Sequence, residues 1–134
     1  MKAVMAIIGL CMLVFAIGQP ASADPLVDPA PIAVPAGVVQ TDVVRAIRNA
    51  LLYRNWTIDA EQPGQLDATL YLRDHEARIR IDYNEQDVRI AYFSSNNLGE
   101  SERNGVKQIH GRYLVWINYL DGDINTNLQH SPRH

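Results

Sequence analysis

The 134-residue chain is poor in residues that carry much of protein chemistry: it has one cysteine, two tryptophans and two phenylalanines. A single cysteine excludes an internal disulfide framework and a multi-cysteine zinc site. Lysine occurs only at Lys2 and Lys107. With 12 basic against 15 acidic residues the formal charge is −3, which excludes a nucleic-acid binder that relies on bulk positive charge. No G-x-S-x-G, H-E-x-x-H, phosphate-binding loop or dinucleotide fingerprint occurs, so the familiar signatures of hydrolytic, metalloprotease and nucleotide-dependent chemistry are missing. What is present is ordinary: 47% hydrophobic and 20% charged residues. That is the composition of one globular domain, not of a disordered, collagen-like or coiled-coil chain.

The first 23 residues stand apart. Met1-Lys2 is a short positive start, Ala3 to Gly18 is an uncharged run, and Ala21-Ser22-Ala23 is a small-x-small pattern ahead of Asp24. These are the three parts of a secretory signal peptide, with cleavage expected between Ala23 and Asp24. The run is shorter than the about 20 apolar residues a spanning helix needs, and it ends in Gly18-Gln19-Pro20. The pattern therefore reads as export with cleavage, leaving no stable membrane insertion. Cys11 lies inside the apolar run, whereas a lipoprotein cysteine sits at its end. The expected mature chain is periplasmic or secreted and holds no thiol nucleophile. It has eleven basic residues, ten of them arginine, and a net charge of −4.

Residues 24–37, DPLVDPAPIAVPAG, carry four prolines, which prevent helix and interrupt sheet pairing. An extended leader is expected there, ahead of a single domain over 38–129 and a frayed tail over 130–134. Val39, Val43, Ile47, Ala50 and Leu51 fall at helical spacing, predicting a first helix over about 40–54 with Thr41 as its N-cap.

Four alternating segments follow. Trp56, Ile58 and Ala60 share one face; then Leu66, Ala68, Leu70 and Leu72; then Ala77, Ile79, Ile81 and Tyr83; then Val88, Ile90 and Tyr92. Period-two alternation broken by Pro63-Gly64, Asp74-His75 and Asn84 to Asp87 predicts an antiparallel meander with one wet face. With Asp74-His75 as a two-residue loop, Leu72 faces Ala77 and Leu70 faces Ile79. With Asn84 to Asp87 as the next loop, Tyr83 faces Val88, Ile81 faces Ile90, and Asp82 meets Arg89 on the wet side.

Residues 94–105, SSNNLGESERNG, read as a polar loop. A second helix is predicted over about 106–120, extending toward 129, with Ile109, Tyr113, Trp116, Ile117, Leu120, Ile124 and Leu128 as its apolar stripe. Leu114 and Val115 lie off the stripe, either as scattered exposed residues or as a second contact face for a homodimer or another partner.

Candidate chemistry is sparse. Under this register Tyr71, Arg78 and Phe93 fall in one row on the wet face, with Arg80 beside them. An arginine flanked by rings forms cation–π contacts of about 0.5–1 kcal/mol each when exposed, so the row is a candidate partner-binding surface. Asp121-Gly122-Asp123-Ile124-Asn125 imitates half a calcium loop, but Thr126 and Pro132 stand where Gly and Glu belong. His110 reads as a packing or capping residue at the head of the second helix. His130 and His134 flank Pro132 in the tail, and with His75 they form no metal-ligand spacing. Asp59 and Asp67 read as solvated carboxylates. Asn55-Trp56-Thr57 fits a glycosylation acceptor, meaningful only in a eukaryotic secretory route. No catalytic residue, metal site or cofactor is assigned.

The motifs run V-V-R-A-I-R-N-A-L-L-Y-R-N-W (43–56), P-G-Q-L-D-A (63–68), A-R-I-R-I-D-Y (77–83), V-R-I-A-Y (88–92) and I-H-G-R-Y-L-V-W-I-N-Y-L (109–120). In this order they resemble a group of small, uncharacterised bacterial exported proteins, many of them lipoproteins, over about residues 38–128. The resemblance implies a cell-envelope location and a compact α+β domain, and it brings no activity. This chain departs from the lipoprotein members in lacking a cysteine at the cleavage point.

The expected fold is α+β: an N-terminal helix, a four-stranded antiparallel meander and a C-terminal helix, with both helices on one sheet face. The expected function is a non-enzymatic envelope module binding a protein or cell-wall partner through Tyr71, Arg78, Arg80 and Phe93, or through Leu114 and Val115. The alternatives are a small-ligand or ion carrier with a pocket between the second helix and the sheet, and a hydrolase whose residues assemble only in three dimensions.

Overall fold

A computed structural model gives the fold and describes residues 23–134. The expected signal segment lies outside the described residues, apart from Ala23. The chain runs β1 (Ala23–Pro25), β2 (Ile32–Ala33), α1 (Gln40–Tyr53), β3 (Thr57–Gln62), β4 (Gln65–Leu72), β5 (His75–Tyr83), β6 (Asp87–Asn96), β7 (Ser101–Arg103), β8 (Val106–His110) and α2 (Gly111–Gln129). The fold is α+β with antiparallel sheets. One sheet has five strands in the order β2-β6-β5-β4-β3, and a second has three in the order β1-β8-β7.

The meander β3 to β6 follows the alternation of its sequence. The β5–β6 pairing is the expected one, with Tyr83 opposite Val88, Asp82 opposite Arg89 and Ile81 opposite Ile90. The β4–β5 pairing is displaced by two residues: Leu72 meets His75, Leu70 meets Ala77 and Ala68 meets Ile79. The turn is thus Arg73-Asp74, entered by Arg73 at φ 56°. A slip of two preserves the faces, so the apolar set stays inside while the outer-face partners change.

The leader and the loop both do more than their composition suggests. The leader is extended as far as a turn at Ala36-Gly37, but it is bonded into both sheets: Asp24 pairs with Ile109, and Ile32 pairs with Val88. Ile32, Val34 and Val38 are buried. The segment expected as a loop over 94–105 contains the end of β6 and all of β7. Asn104 and Gly105, at φ 52° and 78°, make the tight reversal into β8 that an Asn-Gly pair favours. Residues 106–110 are therefore strand, and α2 starts at Gly111.

The helix ends show local causes. The N-cap of α1 is Val39, with no side-chain cap, not Thr41. Its C-terminus closes on Asn55 at φ 64°, where Asn55 N–H donates to Leu52 O at 3.1 Å and Trp56 N–H to Leu51 O at 2.9 Å. This is a Schellman closure with asparagine in the left-handed position. His110 caps α2, its Nδ1 accepting from Arg112 N–H at 3.1 Å.

A single cluster joins Val43, Ile47 and Leu51 of α1, Leu66, Ile79, Ile81 and Ile90 of the sheet, and Tyr113, Ile117, Leu120, Ile124 and Leu128 of α2. Ile58 and Trp116, expected in the core, are only partly buried against it. The tail expected to fray is folded back: His134 N–H donates to Gly37 O at 2.7 Å, and its ring Nε2 lies 3.3 Å from Asp42 Oδ2. Gly37, at φ 90°, leaves room for that approach, since a Cβ there would meet the His134 backbone oxygen at 3.0 Å.

Candidate functional site on the outer sheet face

Alternation along β4 and β5 sends Asp67, Thr69, Tyr71, Glu76, Arg78 and Arg80 to the face opposite the core. Asp67 lies directly across from Arg80. The Arg80 guanidinium donates to both carboxylate oxygens, at 2.8 and 3.1 Å, and this bond holds the Asp67 carboxyl below its ordinary pKa. The same guanidinium carbon lies 5.0 Å from the centre of the Phe93 ring.

Phe93 reaches that place through a β-bulge. Tyr92 pairs with Ile79 and Ser94 with Arg78, leaving Phe93 as the extra residue of β6. Such bulges re-aim side chains. A second effect appears inside. Tyr92 and Ser95 are three apart and in a regular strand would face opposite ways, yet their hydroxyls lie 2.7 Å apart. The Tyr92 hydroxyl also donates to Glu100 at 2.7 Å, and its ring stands edge-on to Tyr113 with centroids 5.4 Å apart.

Beside this stack, Thr69 is fully buried although it belongs to the outer face. Its hydroxyl donates to the Asp59 carboxylate and accepts from Arg78 Nε at 3.4 Å. Arg78 also lies 3.8 Å from Glu76. The outer face is thus a ladder of charge pairs with two half-exposed rings, Phe93 at 51% and Tyr71 at 59%.

The expected row of Tyr71, Arg78 and Phe93 does not form. The two-residue displacement puts Tyr71 opposite Glu76 and Arg78 opposite Thr69. Arg80, not Arg78, is the cation on Phe93. Asp59 and Asp67, expected as solvated carboxylates, instead bond Thr69 and Arg80, and Asp67-x-Thr69 faces Arg78-x-Arg80 once the turn is placed at Arg73-Asp74.

The second candidate face is altered as well. Leu114 is only partly exposed and packs against the core, while Val115 is 49% exposed. Both line an open groove of about 410 Å³ with Val27 and Pro29, so the chain's own N-terminal segment forms one wall.

His75 and His110 have ring centres 6.4 Å apart, and Trp116 lies 6.4 Å from His75. His75 Nδ1 lies 2.6 Å from Asn97 O. Asp121 to Asn125 sit within α2, and Asp123 holds Arg54 rather than a cation-ready loop. Among the described residues no group of three or more His, Cys, Asp or Glu is placed to hold a metal ion, and no helix is long and apolar enough to cross a membrane. Comparison with family models, curated proteins and solved structures finds no match.

Proposed function

We propose that this protein is a non-enzymatic exported module of the cell envelope that binds a polypeptide partner through the outer face of its five-stranded sheet. In this reading the meander β3 to β6 is the scaffold, both helices cover its inner face, and Tyr71, Arg78, Arg80 and Phe93 present the contact surface. The observation that carries it is the Asp67–Arg80–Phe93 stack. Arg80 is fixed by two hydrogen bonds and lies on a ring that stays half exposed. A surface ordered before binding loses less side-chain entropy on association, and arginine and aromatic residues are the types that anchor protein interfaces.

The signal-like pattern of residues 1–23 and the resemblance to small bacterial exported proteins support an envelope location. A carrier with its ligand between α2 and the sheet is less favoured, because Ile79, Ile81, Ile90, Tyr113, Ile117 and Leu120 pack together in that interior with 0–4% exposure.

The test is a crosslinking pulldown from intact envelopes, comparing wild type with Tyr71→Ala/Phe93→Ala and with Val115→Ser. The expected result is a partner captured by wild type and Val115→Ser and lost with the double variant. An unchanged partner profile in the double variant overturns the reading.

A further inference from the structure

A second surface is built where α1 ends against α2. The Schellman closure at Asn55 puts Arg54 at the end of α1, and its guanidinium donates to Asp123 of α2 at 2.6 and 3.2 Å. The same guanidinium lies 5.3 Å from the Tyr53 ring centre and 4.7 Å from that of Tyr119. Asp123 therefore fixes Arg54, and Arg54 fixes two tyrosines. Arg54 covers one face of the Tyr53 ring, yet Tyr53 is 75% exposed, so its other face is open.

Tyr53 forms the rim of a groove of about 280 Å³ between the helices, lined also by Asn49, Ala50, Asp123, Thr126 and Asn127. Asn49 and Asn127 line a neighbouring groove of about 250 Å³ as well, so the two adjoin. Among the described residues, the side chains of Asn49 and Thr126 make no hydrogen bond, while the Asn127 amide nitrogen donates to Ala46 O at 3.1 Å and keeps its carbonyl oxygen for another donor. The formal charges along the grooves are paired within the protein, Arg54 with Asp123 and Arg45 with Asp42.

We propose that this seam is a saccharide-binding site that takes at least two sugar units bearing acetamido groups. An open ring face matches the apolar C–H face of a pyranose. The free Asn49 amide and the Thr126 hydroxyl match its hydroxyl groups. The Asn127 oxygen is placed to accept an acetamido N–H. The internal pairing of the charges selects against a charged ligand, which would have to break an existing pair to gain one. Two adjoining compartments sharing Asn49 and Asn127 set the length. The site is separate from the sheet face and does not depend on the polypeptide-binding reading.

The test is titration of isotope-labelled protein with chitotriose, followed by backbone and side-chain amide shifts, with cellotriose and an alanine–proline peptide as comparison ligands. Saturable shifts at Asn49, Asn127 and Tyr53 are expected with chitotriose, at least tenfold weaker for cellotriose. Tyr53→Ala and Asn49→Ala, both at exposed positions, are expected to weaken chitotriose binding at least tenfold without moving the thermal midpoint, while Phe93→Ala leaves it intact. Absence of saturable shifts, equal affinity for cellotriose, preference for the peptide, or indifference to both seam variants overturns the proposal.

Discussion

Arg80 on β5 joins two residues from opposite sides of its strand: it donates to both oxygens of Asp67 on β4 and rests 5.0 Å from the ring centre of Phe93 on β6. The carboxylate fixes the cation, and the cation fixes the ring. Asp67 carries a lowered pKa, first through the Arg80 hydrogen bond. A group whose folded pKa lies below its unfolded value contributes stability above the unfolded pKa and loses it as pH falls through the folded one. Asp67→Asn is therefore expected to lower the melting temperature by a few degrees at neutral pH. The difference from wild type should close as pH drops below the carboxylate range. Melts followed by circular dichroism across that range check it; a gap that persists in acid contradicts the ion-pair account.

The inner face is tested by Ile81→Asp. Ile81 is fully buried, and an unpaired carboxylate there costs more than about 4 kcal/mol. The variant is expected to lack a cooperative melt. A cooperative transition near the wild-type temperature contradicts the assignment of sheet faces.

Alkali should unfold the domain through its tyrosines. Burial pushes the Tyr92 hydroxyl up to about 12, and burial pushes the Tyr113 hydroxyl up as well. Both ionise more easily once unfolded, so their contribution is intact below the ordinary tyrosine pKa of about 10 and declines above it. Stability is expected to fall between about pH 10 and 12, and Tyr113→Phe should flatten that fall. Denaturant titrations at stepped pH measure it; equal slopes for wild type and Tyr113→Phe contradict the assignment.

Two changes within α2 should stabilise. Gly122 lies in the helix with nothing within 4 Å of an added Cβ, so Gly122→Ala is expected to add about 1 kcal/mol. Burial raises the Asp121 pKa, which means its ionised form is disfavoured in the fold at neutral pH. Asp121→Asn should raise the melting temperature near neutrality and make no difference in acid. Calorimetric melts of the two variants decide both points.

Much of this architecture was legible because alternation and helical spacing are dictated by one buried face. Ile79, Ile81, Ile90, Ile117 and Leu120 declare it, and the four-residue turn at Asn84 to Asp87 fixed the β5–β6 register. Proline density hid the edge strands: Ile32 and Val34 are buried within a segment that composition reads as a spacer. Asn104-Gly105 carried a hairpin signal that the surrounding polar residues masked, and β7 and β8 went with it. At the outer face the residue types were visible and their partners were not. A turn displaced to Arg73-Asp74 leaves every face unchanged but moves each β4–β5 partner by two, and the bulge at Phe93 puts Arg80 rather than Arg78 beside that ring. The bulge at Phe93 and the Arg54–Asp123 pair, 69 residues apart, depend on tertiary packing and leave no local pattern.

The claim that the outer sheet face is the partner surface is tested most directly by placing a photoreactive phenylalanine analogue at Phe93, Tyr71, Val115 or Tyr53 and irradiating intact cells. The account predicts a discrete protein adduct from positions 93 and 71 and none from 115. Adducts from Val115 alone, or none from Phe93 and Tyr71, would contradict it.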